Sequence, residues 1–179
     1  MEVQLSNSKL EIKKGDIVAQ DDIEAVVNAA NAQLKTGGGV AGAIHSAAGS
    51  ELKKECRPLA PISPGEAVIT GGYKLPNKFI IHTLGPVYGR DKPEAELLKK
   101  SYLNSLKTAE KNKIKSIAFP AISTGAFGYP VKEAAEISLK AIRDYQSGLK
   151  SIKLIRFVLY SSDDFAEYRA AAEKIFKNN

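Results

Sequence analysis

The sequence has no tryptophan, one methionine, one cysteine and two histidines in 179 residues. A lone thiol, Cys56, makes no internal disulfide, and with only His45 and His82 beside it the usual Cys/His spacing of a structural zinc site cannot be assembled. No metal and no cofactor are expected. No apolar run approaches the ~18 residues of a membrane-spanning helix, and the opening stretch Met1–Ser8 has neither the basic nor the apolar region of an export signal. The expectation is a cytoplasmic protein without a membrane partner. Neither a G-x-x-x-x-G-K-[ST] loop nor a G-x-S-x-G elbow is present, which argues against P-loop nucleotide hydrolases and α/β-hydrolases.

What is present is 44% hydrophobic and 26% charged, enough apolar material for a core and too little polar bias for disorder. The length suits a single domain over residues 1–179. The net charge of +6 is compatible with anionic partners, nucleic acid among them. Many of the lysines, however, lie in stretches such as Leu97–Lys115, where they alternate with apolar residues at helical spacing and read as a solvated helix face. A nucleic-acid partner is therefore not favoured, and a monomer is expected.

Short runs rich in Val, Ile or Phe predict strands at Lys9–Ile12, Ala25–Asn28, Ala67–Thr70, Phe79–Thr83, Ser116–Phe119 and Ile155–Tyr160. Helical periodicity fills Val40–Ala48, Glu51–Arg57, Glu94–Asn112, Val131–Gln146 and Asp163–Lys177. The alternation persists along the chain without internal repeats. It predicts an α/β fold, a three-layer α/β/α sandwich around a mixed, largely parallel central sheet. The short connection Gly71–Lys78 marks the place for an antiparallel pair.

In open α/β sheets ligands bind beyond the carboxyl ends of the strands. Two loops there are unusual. In Asn28–Gly42, three consecutive glycines, Gly37, Gly38 and Gly39, precede a helix and let backbone amides converge on an anion. A flexible turn is the plainer alternative. Gly37, Gly39 and Gly42 also satisfy G-x-G-x-x-G, but residues 29–36 separate them from the strand, which is the wrong context for a dinucleotide fingerprint. In Pro120–Pro130, Ser123, Thr124, Gly125 and Gly128 offer hydroxyls and unobstructed amides to a second side of the same anion. Phe127 and Tyr129 are either surface for a sugar or base, or anchors of the loop.

Together, Gly15-Asp16-Ile17, the run Ala25–Asn31 (AVVNAAN), Gly37–Gly49, Pro64–Thr70, Ile81–Pro86 and Phe119–Pro130 resemble the macro domain family, most closely its MacroD-type branch. The motifs occur in the same order over nearly the whole chain. The resemblance implies a mixed-sheet α/β/α sandwich that binds ADP-ribose, or an ADP-ribosylated protein, at the carboxyl ends of its strands. Many members of the family also remove ADP-ribose or its acyl esters from carrier groups. Asp16 matches the acid that accepts from the adenine amino group, with Ile17 beside it; a carboxylate is an acceptor only, which suits that task. An N-cap is the alternative role for Asp16. Tyr160 matches the aromatic packed against adenine.

Gly38, Gly39, Val40, Ser123, Thr124, Gly125 and Ala126 fall in the two phosphate loops, and Phe127 matches the aromatic over the distal ribose. Asn31 matches the asparagine that holds that ribose and is the candidate for a catalytic role. Asn28 is counted with the binding residues, more as a brace of the loop than as a direct contact. His45 reads as a packed helix histidine. The branch usually places an aspartate after the glycines to activate water, and here the matching residue is Ala41. Alanine cannot take a proton, so the resemblance leaves two readings. One is hydrolysis of mono-ADP-ribosyl esters in which the ligand's own phosphate holds the water. The other is a non-catalytic ADP-ribose-binding module.

Overall fold

A computed structural model describes residues 1–176. Seven strands form one sheet: β1 (Glu2–Gln4), β2 (Lys9–Lys14), β3 (Ala25–Ala29), β4 (Ala67–Gly71), β5 (Phe79–Thr83), β6 (Ser116–Phe119) and β7 (Leu154–Leu159). Their spatial order is β1-β2-β7-β6-β3-β5-β4. The five inner strands run parallel, and β1 and β4 close the two edges antiparallel. The short connection between β4 and β5 produces the antiparallel pair expected of it. Strands covered on both faces read as continuous apolar runs, as in Ala25–Val27 and Phe157–Leu159, which are buried throughout.

Strand β1 has no counterpart among the predicted elements. Three residues with Val3 only half-buried carry too little pattern to read. Its place is set by pairing, since the Ile12 amide donates to the Met1 carbonyl and the Met1 ammonium donates to the Ile12 carbonyl, each at 2.9 Å.

Helices α1 (Gly39–Ala48) and α2 (Glu51–Cys56) cover one face, followed by a single 3-10 turn at Arg57–Leu59. Helices α3 (Glu94–Lys111), α4 (Val131–Tyr145) and α5 (Ser162–Phe176) cover the other. In α3 the buried Leu98, Tyr102, Leu106 and Ala109 recur at three- and four-residue steps, so the lysines between them face solvent as the periodicity implies. Tyr102, Phe119, Phe157 and Tyr168 pack as tilted rings in the core on this side. Ile44, Leu52, Ile80 and Val26 form the smaller core under α1 and α2. The predicted last strand is offset by one residue, so that Tyr160 follows β7 rather than ending it, and the last helix starts one residue before its predicted start. The predicted end of the last helix, Lys177, lies outside the described residues. Among the described residues no helix is long and apolar enough to cross a membrane.

Because β2, β3, β6 and β7 are parallel, the segments that leave their carboxyl ends emerge along one edge. These segments carry Asp16, Asn31, the loop 120–130 and Tyr160.

Candidate functional site

Two clefts open along that edge. One, of about 470 Å³, is lined by Gly15, Asp16, Ile17, Thr124, Val158, Tyr160 and Asp164 among others. The second, of about 290 Å³, is lined by Asn31, Gly37, Gly38, Ala41, Gly85, Ser123, Ala126 and Phe127 among others. Gly39, Val40, Ala121 and Gly125 belong to both, so the clefts form one trough. The two glycine-bearing loops meet at its middle.

At that junction the chain offers amides and no charge. Helix α1 starts at Gly39 with no side chain capping it and no acid in its first turn, which leaves its first amides free at the positive end of the helix dipole. The amides of Gly125, Ala126 and Phe127 have no partner among the described residues. A Cβ built on Gly38, Gly39 or Gly125 would meet nothing within 4 Å, so the space in front of these residues is open. Gly42 serves packing instead, since a Cβ there would approach the Gly37 carbonyl to 2.5 Å.

The loop after β6 is tightly folded. Ser123 sits in the left-handed region at φ 68°, and the Thr124 hydroxyl donates to the Ala121 carbonyl at 3.0 Å. Of the two hydroxyls expected to face an anion, that of Thr124 is therefore spent on closing the turn, and the buried Ser123 hydroxyl is the one without a partner among the described residues. Tyr129 is buried edge-on to Tyr88 and acts as the anchor, whereas Phe127 lines the smaller cleft.

At the larger cleft, Asp16 caps no helix. Its Oδ1 accepts from the Val18 amide at 3.1 Å, an Asx turn that leaves the carboxylate exposed, while Ile17 is buried beside it. Tyr160 is 82% exposed and presents its ring at the rim. The segment 15–24 that carries Asp16 is tied down by Arg156 of β7. This guanidinium donates two bonds of 2.6 Å to the Asp22 carboxylate, one of 3.0 Å to Gln20 Oε1 and one of 2.8 Å to Glu11. Burial opposes ionisation of Glu11, yet hydrogen bonds from Lys9 and Arg156 hold its carboxyl down at about 2. The Arg156 contact also lowers Asp22.

At the smaller cleft, both ends of the Asn31 amide are engaged. Its Nδ2 donates to the Lys35 carbonyl at 2.7 Å and its Oδ1 accepts from the Lys35 amide at 3.0 Å. One N–H and one lone pair remain for a ligand. A Cβ on Gly37 would meet Asn31 Nδ2 at 3.3 Å and the Ala41 Cβ at 3.7 Å, so both residues flank Gly37, and no Asp or Glu is among the described residues lining this cleft.

Asn28 is fully buried in β3 and lines neither cleft. Its Nδ2 donates to His82 Nδ1 at 3.0 Å, which leaves His82 Nε2 to donate to Thr70 Oγ1 at 2.9 Å. Burial pushes His82 down to about 3, and protonation would set Nδ1–H against the Asn28 donor. His45 is buried in α1 with its ring 6.4 Å from that of His82 and with neither nitrogen partnered among the described residues, and burial lowers it too.

Gly85 and Asp164 line the trough but were not predicted. A Cβ on Gly85 would fall 2.1 Å from Ser123 Oγ, a long-range packing demand with no local signature. Asp164, in the first turn of α5, reads in sequence as an ordinary helix-start acid. Among the described residues no group of three or more His, Cys, Asp or Glu gathers to hold a metal.

Comparisons agree with this architecture. The Macro domain family model matches residues 27–138. A solved Oceanobacillus iheyensis macrodomain with ADP is 39% identical at a TM-score of 0.95, the match covering 100% of this chain and 97% of that one. A Trypanosoma brucei macrodomain in complex with ADP-ribose is 34% identical at a TM-score of 0.84, covering 91% of this chain and 68% of that one. A Citrobacter rodentium protein named O-acetyl-ADP-ribose deacetylase is 46% identical over 168 residues, 91% of this chain and 94% of its own.

Proposed function

The chain belongs to the macro domain family, and from that premise we propose that it binds ADP-ribose and hydrolyses mono-ADP-ribosyl esters, on Asp or Glu side chains or as O-acetyl-ADP-ribose. Residues 1–179 act as one such domain. The observation that carries the reading is the continuous trough with free amides at its centre and a side-chain-lined cleft at each end. The adenosine lies in the larger cleft, its amino group donating to Asp16 and its base against Tyr160. The diphosphate takes the amides of Gly38, Gly39, Val40, Gly125 and Ala126, where they cost no reorganisation. The distal ribose lies between Asn31 and Phe127.

For an ester at the anomeric carbon, water adds to that carbon as the bond to the carrier's carboxylate oxygen breaks, and the leaving carboxylate departs with the electron pair. With Ala41 where a carboxylate would stand, the ligand's own phosphate orients the water and takes its proton, and Asn31 fixes the sugar. Asn28 acts from below, as a brace for Ala29–Asn31.

The absence of a protein base also favours a second reading, ADP-ribose binding without turnover. Titration calorimetry with ADP-ribose, ADP and AMP, followed by release of ADP-ribose from glutamate-linked conjugates, separates the two. ADP-ribose should bind more tightly than AMP, and equal affinities would overturn the proposal. Slow hydrolysis is expected of the parent, and Ala41→Asp should raise it about 10²-fold, the lower end of what a general base supplies. No turnover in the parent with turnover in Ala41→Asp would leave binding as the function.

A further inference from the structure

A third cavity, of about 390 Å³, lies outside the trough, between the loop 33–36 and the end of α2. Its floor includes Leu34, Cys56 and Ala60, and its rim carries the cations Lys35, Lys53 and Arg57. Residues 53 and 57 are one turn apart and so share a helix face, while Lys35 approaches from the loop. All three side chains are exposed, and none has a carboxylate partner among the described residues. The acids of α2 are engaged elsewhere. Glu51 pairs with Lys54 at 2.8 Å, and Glu55 accepts from the Gly71 amide and the Tyr73 hydroxyl. Burial keeps the Cys56 thiol neutral by pushing it up to about 11, so the floor supplies no anion either. The cavity is thus positive at the rim and apolar at the base.

Its position relates it to the trough. Asn31, which lines the smaller cleft, is hydrogen-bonded through its side chain to the backbone of Lys35, which lines this cavity. One turn of chain separates the two. On the reading proposed above, the carrier attached to the distal ribose emerges beside Asn31, within reach of this rim.

We infer that the cavity lined by Lys35, Lys53 and Arg57 receives an acidic side chain of the polypeptide that carries the ADP-ribose, its carboxylate at the cations and its methylenes over Leu34 and Ala60. A pocket with an apolar base suits a carboxylate on a short aliphatic stem. A nucleic-acid strand would need cations tracking along a groove.

The test uses a peptide carrying one amide-linked ADP-ribose, flanked by Glu in one version and by Gln in the other. With the parent protein at low salt, the Glu version should bind about three- to tenfold more tightly, the range for a few partly exposed ion pairs. The double variant Lys53→Ala, Arg57→Ala should reduce that ratio to about one without changing affinity for free ADP-ribose. Both side chains are exposed, and an unchanged melting temperature confirms the fold.

A ratio of one in the parent, or a ratio that survives in the variant, overturns the inference. So does a larger gain, lost in the variant, from ADP-ribose linked to a 5′-phosphorylated oligonucleotide, which would assign the cavity to nucleic-acid ends. Failure of free ADP-ribose to bind the parent would instead overturn the trough assignment, which the same titrations read separately.

Discussion

The two ends of the trough rest on different chemistry. Under the Asp16 end, Arg156 joins β7 to the segment 15–24 through a bidentate pair with Asp22 and a buried bond to Glu11. Under the Asn31 end lies a neutral chain, Asn28 to His82 to Thr70, that ends at the Gly71 carbonyl. Planar, charge-assisted pairs fix geometry well, and here they position a segment that has no regular structure of its own. Neutral bonds suffice where strands β3, β4 and β5 already fix the backbone. The two supports should therefore fail under different conditions.

The largest expected effect concerns acid. His82 is held near 3 in the folded chain against about 6.5 when unfolded, so the unfolded state binds the extra proton between those values and stability is lost as pH drops through that window. The loss is on the order of 5 kcal/mol for a shift of this size. For Glu11 the folded value of about 2 lies below the unfolded 4.5, so its contribution is complete above 4.5 and lost as pH falls through 2. Chemical denaturation from pH 7 to 3 should show the Asn31 end failing first, as exchange of the β3 and β5 amides before those of β2. Simultaneous loss would break the distinction between the two ends.

Gly125→Glu addresses both ends at once. A Cβ at Gly125 meets nothing within 4 Å, so the substitution leaves the fold alone and sends a carboxylate into the space shared by the clefts. ADP-ribose binding should weaken by at least about 100-fold, roughly 3 kcal/mol, through steric exclusion and like-charge repulsion. Affinity within threefold of the parent, in protein with an unchanged melting temperature, would mean that the trough is not the ligand site.

The unequal legibility of the two ends follows from the same chemistry. Asp16 and Tyr160 are side chains at strand ends, and motif order locates them. The glycines announce an open backbone, and the alternating pattern announces the sheet and its helices. What did not show were features set by distant partners. Arg156 and Glu11 look like ordinary strand charges until pairing of β2 with β7 brings them together. Gly85 is required by Ser123, 38 positions away in the chain. Thr124 has the right composition for an anion loop, but its hydroxyl is consumed by a turn whose closure only the folded geometry reveals. The short β1 exists through its neighbour rather than its own pattern.

Arg156→Met sharpens the contrast most narrowly. Removing the guanidinium strands Glu11, whose side chain is 5% exposed, but Lys9 stays 2.6 Å from that carboxylate and Lys13 3.3 Å. The cost should therefore be about 2–3 kcal/mol, below the 3–5 kcal/mol typical of a buried charge left wholly unpaired. Its pH signature is more telling than its size. Without Arg156 the Glu11 carboxyl titrates closer to its unfolded value, so the loss of stability between pH 4.5 and 2 should flatten. The fall between 6.5 and 4.5, above the Glu11 window, belongs to the buried histidines, His82 with His45, and should persist unchanged. Loss of both limbs in Arg156→Met would show that one network spans the two ends, whereas loss of the lower limb alone separates the charged support from the neutral one.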